Sequence, residues 1–202
     1  MKDLWLATAN AKKLKELDRL LEGEGYRLRS IADLPEPIDI VEDGDTFAAN
    51  AEIKASTLAE LTGGLAVGDD SGLSVEALDG RPGIRSARYA GPDATDADRI
   101  EKLLGELRER PEAGRRAWFT CSICLSSPDG VVSRFEDHCY GVIAEAPRGV
   151  AGFGYDPVFL PDEYADQDPK PSFAELTPAQ KDAISHRGRA LRQLIEHLQE
   201  RT

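Results

Sequence analysis

Two adjacent carboxylates between glycines, Gly68-Asp69-Asp70-Ser71-Gly72, close the apolar run Leu65-Ala66-Val67. Neighbouring aspartates repel one another, and a buried loop holding both needs a cation to offset that repulsion, so a divalent metal is the first ligand to expect. A second acidic turn, Glu42-Asp43-Gly44-Asp45, stands immediately before a segment carrying Asn50 and Lys54. Residues four apart share one face of a helix. An Asn and a Lys so placed are ordinarily a solvated face, but the acidic turn beside them puts a functional reading on equal terms. Carboxylate and ammonium groups together suit a phosphate with magnesium.

Three further stretches carry chemistry. The polar turn Thr8-Ala9-Asn10 precedes a segment with Leu14, Leu17, Leu20 and Leu21 at helical spacing. A helix starting there presents unpaired N–H groups, and Lys12 or Lys13 adds charge, which suits an anion. The turn lacks the glycine-rich Gly-Lys-Ser/Thr pattern of a P-loop, and capping by Asn10 is its ordinary explanation. In Gly149-Val150-Ala151-Gly152-Phe153-Gly154-Tyr155-Asp156-Pro157 an aromatic ring stands among glycines, where a flat ligand can approach the backbone and stack. Lys181, Ser185, His186 and Arg187 form a cluster rich in hydrogen-bond donors.

The elements that must position these groups read as an alternation of strands and helices. Leu4–Ala7 and Tyr26–Ile31 read as strands, and a helix capped by Thr46 is expected to run to about Leu61, with Phe47, Ala51, Ala55 and Leu58 facing inward. The Asp69-Asp70 loop is expected to lead into a strand over Leu73–Leu78, and Arg81–Gly91 into an irregular loop. Thr95 or Asp96 can cap a helix to about Leu107, with Pro111 ending it. Ala117–Ser126 and Val131–Glu145 read as long strands joined by Ser127-Pro128-Asp129-Gly130, a hairpin signal. A single helix over Ala179–Leu198 closes the chain. The pattern is α/β, a central mixed sheet with helices flanking it.

Composition narrows the partner. The chain has 202 residues, enough for one domain with a real core, and 25 Lys plus Arg against 37 Asp plus Glu give a net charge of −12. Such a surface repels a nucleic-acid backbone, whereas a free nucleotide in a metal-containing pocket responds to local charge. The apolar run at Leu4-Trp5-Leu6 is too short for a signal peptide and no later stretch approaches a membrane span, so a soluble, cytoplasmic protein with no membrane partner is expected. Cys121-Ser122-Ile123-Cys124 is formally a CxxC pair, but it lies in a strand-like run where residues three apart face opposite sides, and structural cysteines are the better reading.

Six stretches, taken in order, closely resemble the inosine/xanthosine triphosphate pyrophosphatase family: Thr8-Ala9-Asn10-Ala11-Lys12-Lys13, Glu42 to Ala51, Gly68 to Leu73, Pro82 to Tyr89, Gly152 to Pro157 and Ser185-His186-Arg187-Gly188. They span nearly the whole chain. The resemblance implies a magnesium-dependent enzyme that hydrolyses the deaminated purine nucleoside triphosphates ITP, dITP and XTP to monophosphate and pyrophosphate, clearing aberrant purines from the nucleotide pool. It further implies a homodimer and two lobes with an active-site cleft. By motif, Thr8, Ala9, Asn10, Ala11, Lys12 and Lys13 would hold the triphosphate with Lys54, and Glu42 with Asp70 would bind magnesium. Asp70 would be the general base and Asp69 its close support, although two neighbouring carboxylates titrate as a pair and the sequence leaves open which takes the proton. Ser71 would touch the substrate, Phe153 would stack on the purine, and Gly154, Tyr155 and Asp156 would shape its pocket. Lys181, His186 and Arg187 would complete the site with donors suited to a 6-oxo group. The chain departs from the family pattern at Ala9, often glycine, and over Asp162–Pro171, which is longer and more acidic than the usual link and reads as a surface loop. A pyrophosphatase of different base preference and a nucleotide sensor without turnover are the competing readings.

Overall fold

Strand β1 (Lys2–Leu6) is joined to strand β2 (Tyr26–Ser30) by helix α1 (Ala11–Leu20), the crossover that a parallel pair requires, and Leu4 lies opposite Leu28. This computed structural model describes residues 2–8 and 10–200. Helix α2 (Phe47–Thr62) leads into strand β3 (Leu65–Val75), which pairs in parallel with the other edge of β1, Leu6 opposite Val67. Helix α3 (Asp96–Arg108) precedes strands β4 (Arg116–Ser127) and β5 (Gly130–Ile143), and the chain ends with strand β6 (Phe159–Pro161) and helices α4 (Pro178–Ile184) and α5 (His186–Gln199). The six strands form one mixed sheet in the order β2-β1-β3-β4-β5-β6, with β5 and β6 antiparallel. The expected α/β class is observed, and so is the hairpin, since Pro128-Asp129 alone link β4 to β5.

Two compact units share these strands. The first comprises residues up to Asp70, Cys121–Asp137 and the chain from Arg187 onward; the second comprises Ser71–Thr120 and His138–His186. In the first, alternation along β3 decides what each residue meets. Val67 joins Leu17 of α1, Leu191 and Leu194 of α5, and Cys121 of β4 in one apolar cluster. Ala66 packs with Leu58 and Ala59 of α2. Cys124 lies with Ala51 and Ala55, so the two cysteines of the CxxC run do face different clusters, and all three cysteines are buried thiols. The core of the second unit gathers Leu73 and Val75, Ile100, Leu103 and Leu107 of α3, Phe119, Ile143, Phe159 and Phe173.

Several expectations are corrected. Gly68–Gly72 is no loop: β3 runs unbroken through it, and the strand expected over Leu73–Leu78 holds as far as Val75, after which a short 3-10 turn takes Glu76–Leu78. The close fit of Gly68 against α2 is what keeps so polar a stretch extended, since a Cβ there would meet the Ala51 carbonyl and stand 2.8 Å from Ala55 N. The closing helix is two helices, because Ser185 adopts ψ 150° and breaks the ladder between α4 and α5. Phe47 is half-buried rather than inward, while Asn50 and Lys54 are buried. The Arg81–Gly91 stretch contains a 3-10 helix over Gly83–Arg88 with Ser86 buried in it. In the Asp162–Pro171 segment a 3-10 turn forms over Asp162–Tyr164, and Asp162 accepts from Arg116 at 2.7 Å and from Lys170 at 3.3 Å. No helix among the described residues is long and apolar enough to cross a membrane.

Candidate active site

Helix α2 begins where Thr46 caps it, its hydroxyl accepting from Ala49 N at 3.1 Å, and this start sets the phase that turns Asn50 and Lys54 toward β3. Lys54 Nζ lies 3.0 Å from Asp70 Oδ1 and 3.1 Å from Glu42 Oε2. Asn50 donates to Asp70 Oδ2 at 3.2 Å and accepts from Gly44 N at 2.9 Å, so one side chain ties the acidic turn to the strand. Burial lifts the pKa of Asp70 above the ordinary carboxylate value, with Lys54 drawing it back.

Asp69 projects from the opposite face of β3. It accepts from Arg187 Nε at 2.8 Å and pairs with Lys13 Nζ, while Arg187 Nη1 reaches Glu16 at 3.0 Å. Burial pushes Asp69 upward, but Arg187 and Lys13 outweigh it and hold the carboxyl well below the usual range. Three protein cations, Lys54 on one face and Arg187 and Lys13 on the other, thus offset the repulsion between the adjacent aspartates. Asp70 is the more basic of the two.

At the start of α1, the Asn10 side chain accepts from Lys12 N at 3.0 Å and Lys13 N at 3.4 Å, and Thr8 Oγ1 accepts from Asn10 N at 3.1 Å. The amides expected to face an anion are therefore engaged by the cap. Ala11 and Lys12 are exposed, and Ala9 lies outside the described residues.

The second unit holds the aromatic loop. Phe153 lies between Gly152 (φ 77°) and Gly154 (φ 61°), with Lys181 Nζ 4.8 Å from the centre of its ring. Buried Asp156 takes both the Phe153 amide, at 2.8 Å, and Lys181 Nζ, at 2.6 Å, and so binds loop and helix α4 together. His186 is buried and stacks on Phe119, ring centres 4.6 Å apart. Tyr155 turns into the core, where its hydroxyl donates to the Ser86 carbonyl at 2.9 Å. Ser71 is half-buried on β3.

A family model described as the Ham1 family matches residues 4–197. The chain belongs to the Ham1 family. It is 46% identical to the dITP/XTP pyrophosphatase of Geobacter sulfurreducens, over 98% of this chain and 97% of that one. It is 47% identical to the dITP/XTP pyrophosphatase of Desulforamulus reducens, over 96% and 94% of the two chains. The solved structure of a HAM1 protein from Coxiella burnetii matches with a TM-score of 0.89 at 41% identity, covering 99% of this chain and 100% of that one. Family membership makes the chain an enzyme of the nucleoside triphosphate pyrophosphatase class.

Glu16, Phe119 and Asp96 touch the groups described above without standing among the expected site residues, whereas Asn50, raised with Lys54 beside the acidic turn, does reach Asp70. Glu16 had a signal, being one helical turn beyond Lys13. Phe119, inside a strand, had none.

Among the described residues, no group of three or more His, Cys, Asp or Glu side chains could hold a metal ion. Two carboxylates around one ammonium still fit magnesium, which commonly takes one or two protein carboxylates and completes its shell with water and substrate phosphates.

Proposed function

We propose that this Ham1-family enzyme hydrolyses deaminated purine nucleoside triphosphates, ITP, dITP and XTP, to the monophosphate and pyrophosphate with magnesium. The observation carrying this reading is Lys54 lying between Glu42 and Asp70, an arrangement of opposite charges suited to phosphate and a divalent ion; the names of the curated relatives support the substrate class. Glu42 and Asp70 would hold magnesium, which when bound neutralises charge on the phosphate oxygens. Asp70 orients water for in-line attack on the α-phosphorus and takes its proton, the role to which its raised pKa suits it. Lys54 and Lys13 offset negative charge as pyrophosphate leaves, with Thr8 and Asn10 beside Lys13 at the start of α1. Asp69, held by Arg187 and Lys13, keeps those cations in place rather than moving protons.

In the second unit Phe153 offers a face for the base, and Lys181 and His186 supply donors for its 6-oxo group. Gly154, Tyr155 and Asp156 give the loop its shape, and Ser71 contacts the substrate. A homodimer in the cytoplasm, one pyrophosphatase domain over residues 1–202, completes the reading.

The test is pyrophosphate release from ITP, dITP, XTP, GTP, ATP and dUTP, with magnesium and with chelator. Magnesium-dependent release favouring the first three is expected. Preference for a pyrimidine would overturn the role given to Phe153, and tight binding without turnover would favour a sensor.

A further inference from the structure

Helix α3 has two candidates for its cap, Thr95 and Asp96, and only one is used. Thr95 takes that position, its hydroxyl accepting from Asp98 N at 3.2 Å while the Asp98 carboxylate accepts from Thr95 N at 2.7 Å, a complete capping box. Asp96, the first residue of the helix, is left with its carboxylate available for another task. Its Oδ2 accepts from the backbone amide of Gly154, 58 positions away, at 2.7 Å. Its Oδ1 accepts from Arg99 Nη1 at 2.6 Å, and Arg99 is the more buried partner, 18% exposed against 43%. The carboxylate is therefore fixed from one side by a guanidinium and fixes the aromatic loop from the other.

The loop has reason to need it. Gly154 sits at φ 61°, a conformation open to glycine, and glycine's freedom makes such a turn costly to order without an outside anchor. Phe153 donates its amide to the Asp156 carboxylate, which also takes Lys181 Nζ, and its ring lies 4.8 Å from that ammonium. Asp96 supplies an anchor to the residue immediately after the ring, from an element whose own start is locked by Thr95 and Asp98.

We propose that Asp96 is a positioning residue for base recognition: oriented by Arg99, it clamps the Gly154 amide and so presents the Phe153 ring to the purine. This rests on the reading of Phe153 as the base-stacking side chain. Phosphate handling by Glu42, Lys54 and Asp70 is independent of the clamp.

The experiment compares Asp96→Ala with the wild type by two constants, KM for ITP and the competitive inhibition constant of tripolyphosphate, a ligand with phosphates and no base. Loss of one charge-assisted hydrogen bond is expected to raise KM about tenfold with kcat changed less than about twofold. The tripolyphosphate constant is expected to stay at its wild-type value. The isosteric Asp96→Asn, which keeps one acceptor oxygen, should recover most of the KM; if the alanine variant does not fold, Arg99→Gln, which removes the guanidinium orienting the carboxylate, should raise KM for ITP alone and decides the matter by the same two constants. Equal weakening toward ITP and tripolyphosphate, or an unchanged KM, would overturn the proposal. A wild-type enzyme that turns over no purine triphosphate would instead overturn the functional reading beneath it.

Discussion

Gly68→Ala is the sharpest test of how the site is held. The added methyl would point from β3 straight at the backbone of α2, meeting the Ala51 carbonyl and lying 2.8 Å from Ala55 N, whereas Cβ atoms essentially never come within 3.0 Å of such neighbours. Both opposing atoms are main chain, so no rotamer change relieves the clash; strand and helix must part by on the order of 1 Å. Those two elements carry Asp70 on one side and Asn50 and Lys54 on the other, at 3.2 and 3.0 Å. Overpacking of this kind costs about 1–3 kcal/mol, and for a chain of this length each kcal/mol corresponds to roughly 2–4 °C in Tm. Displacement of catalytic groups by about 1 Å can cost on the order of a hundredfold in rate. Thermal denaturation followed by circular dichroism, together with kcat for ITP, measures both. A variant with the wild-type Tm and wild-type kcat would refute the claim that close β3–α2 contact sets the geometry of Asp70.

Other expectations follow from the same contacts. Asp70→Asn should lower kcat by about 10²–10⁴-fold while leaving the affinity for nucleotide within a few-fold, as read by single-turnover kinetics and equilibrium binding; full activity would remove Asp70 as the base. Lys181→Met takes the ammonium from the buried Asp156 carboxylate, 2.6 Å away, and should destabilise the protein by about 3 kcal/mol in urea titrations. Asp69, whose pKa is depressed in the fold, contributes stability that is fully present above the unfolded-state value near 3.8 and is lost as pH falls through the lower folded value. Denaturant midpoints measured against pH should therefore fall less steeply below about pH 4 in Asp69→Asn than in the wild type, and equal slopes would contradict the pairing with Arg187 and Lys13.

Much of this architecture is legible in the chain because local signals agree with it. Thr46 and Thr95 mark the starts of α2 and α3 correctly, and Asp129-Gly130 marks the hairpin, since caps and tight turns are decided by a few neighbouring residues. The stretch Gly68–Gly72 misleads for the opposite reason. Glycine and aspartate are poor strand formers, and only burial against α2 on one face, with Lys13 and Arg187 meeting Asp69 on the other, makes extension favourable there. Ser185 carries no glycine or proline to announce the break between α4 and α5. The pairing of Asp69 with Arg187 spans 118 positions, and Asp96 with Gly154 spans 58, distances at which spacing along the chain says nothing.

The strand at Asp69-Asp70 also bears on which carboxylate does the chemistry. Neighbours in a loop could share one cation and one proton, and their titrations would then belong to the pair. Neighbours in a strand point to opposite faces, and here the faces differ: one presents Arg187 and Lys13, the other Lys54 and the neutral amide of Asn50. The environments push the two pKa values apart, Asp69 down and Asp70 up. Such a separation is how adjacent acids acquire different tasks, one staying ionised to hold its surroundings and the other accepting a proton. The backbone alternation of β3 therefore gives two consecutive aspartates different surroundings, as the proposed roles of Asp69 as scaffold and Asp70 as base require.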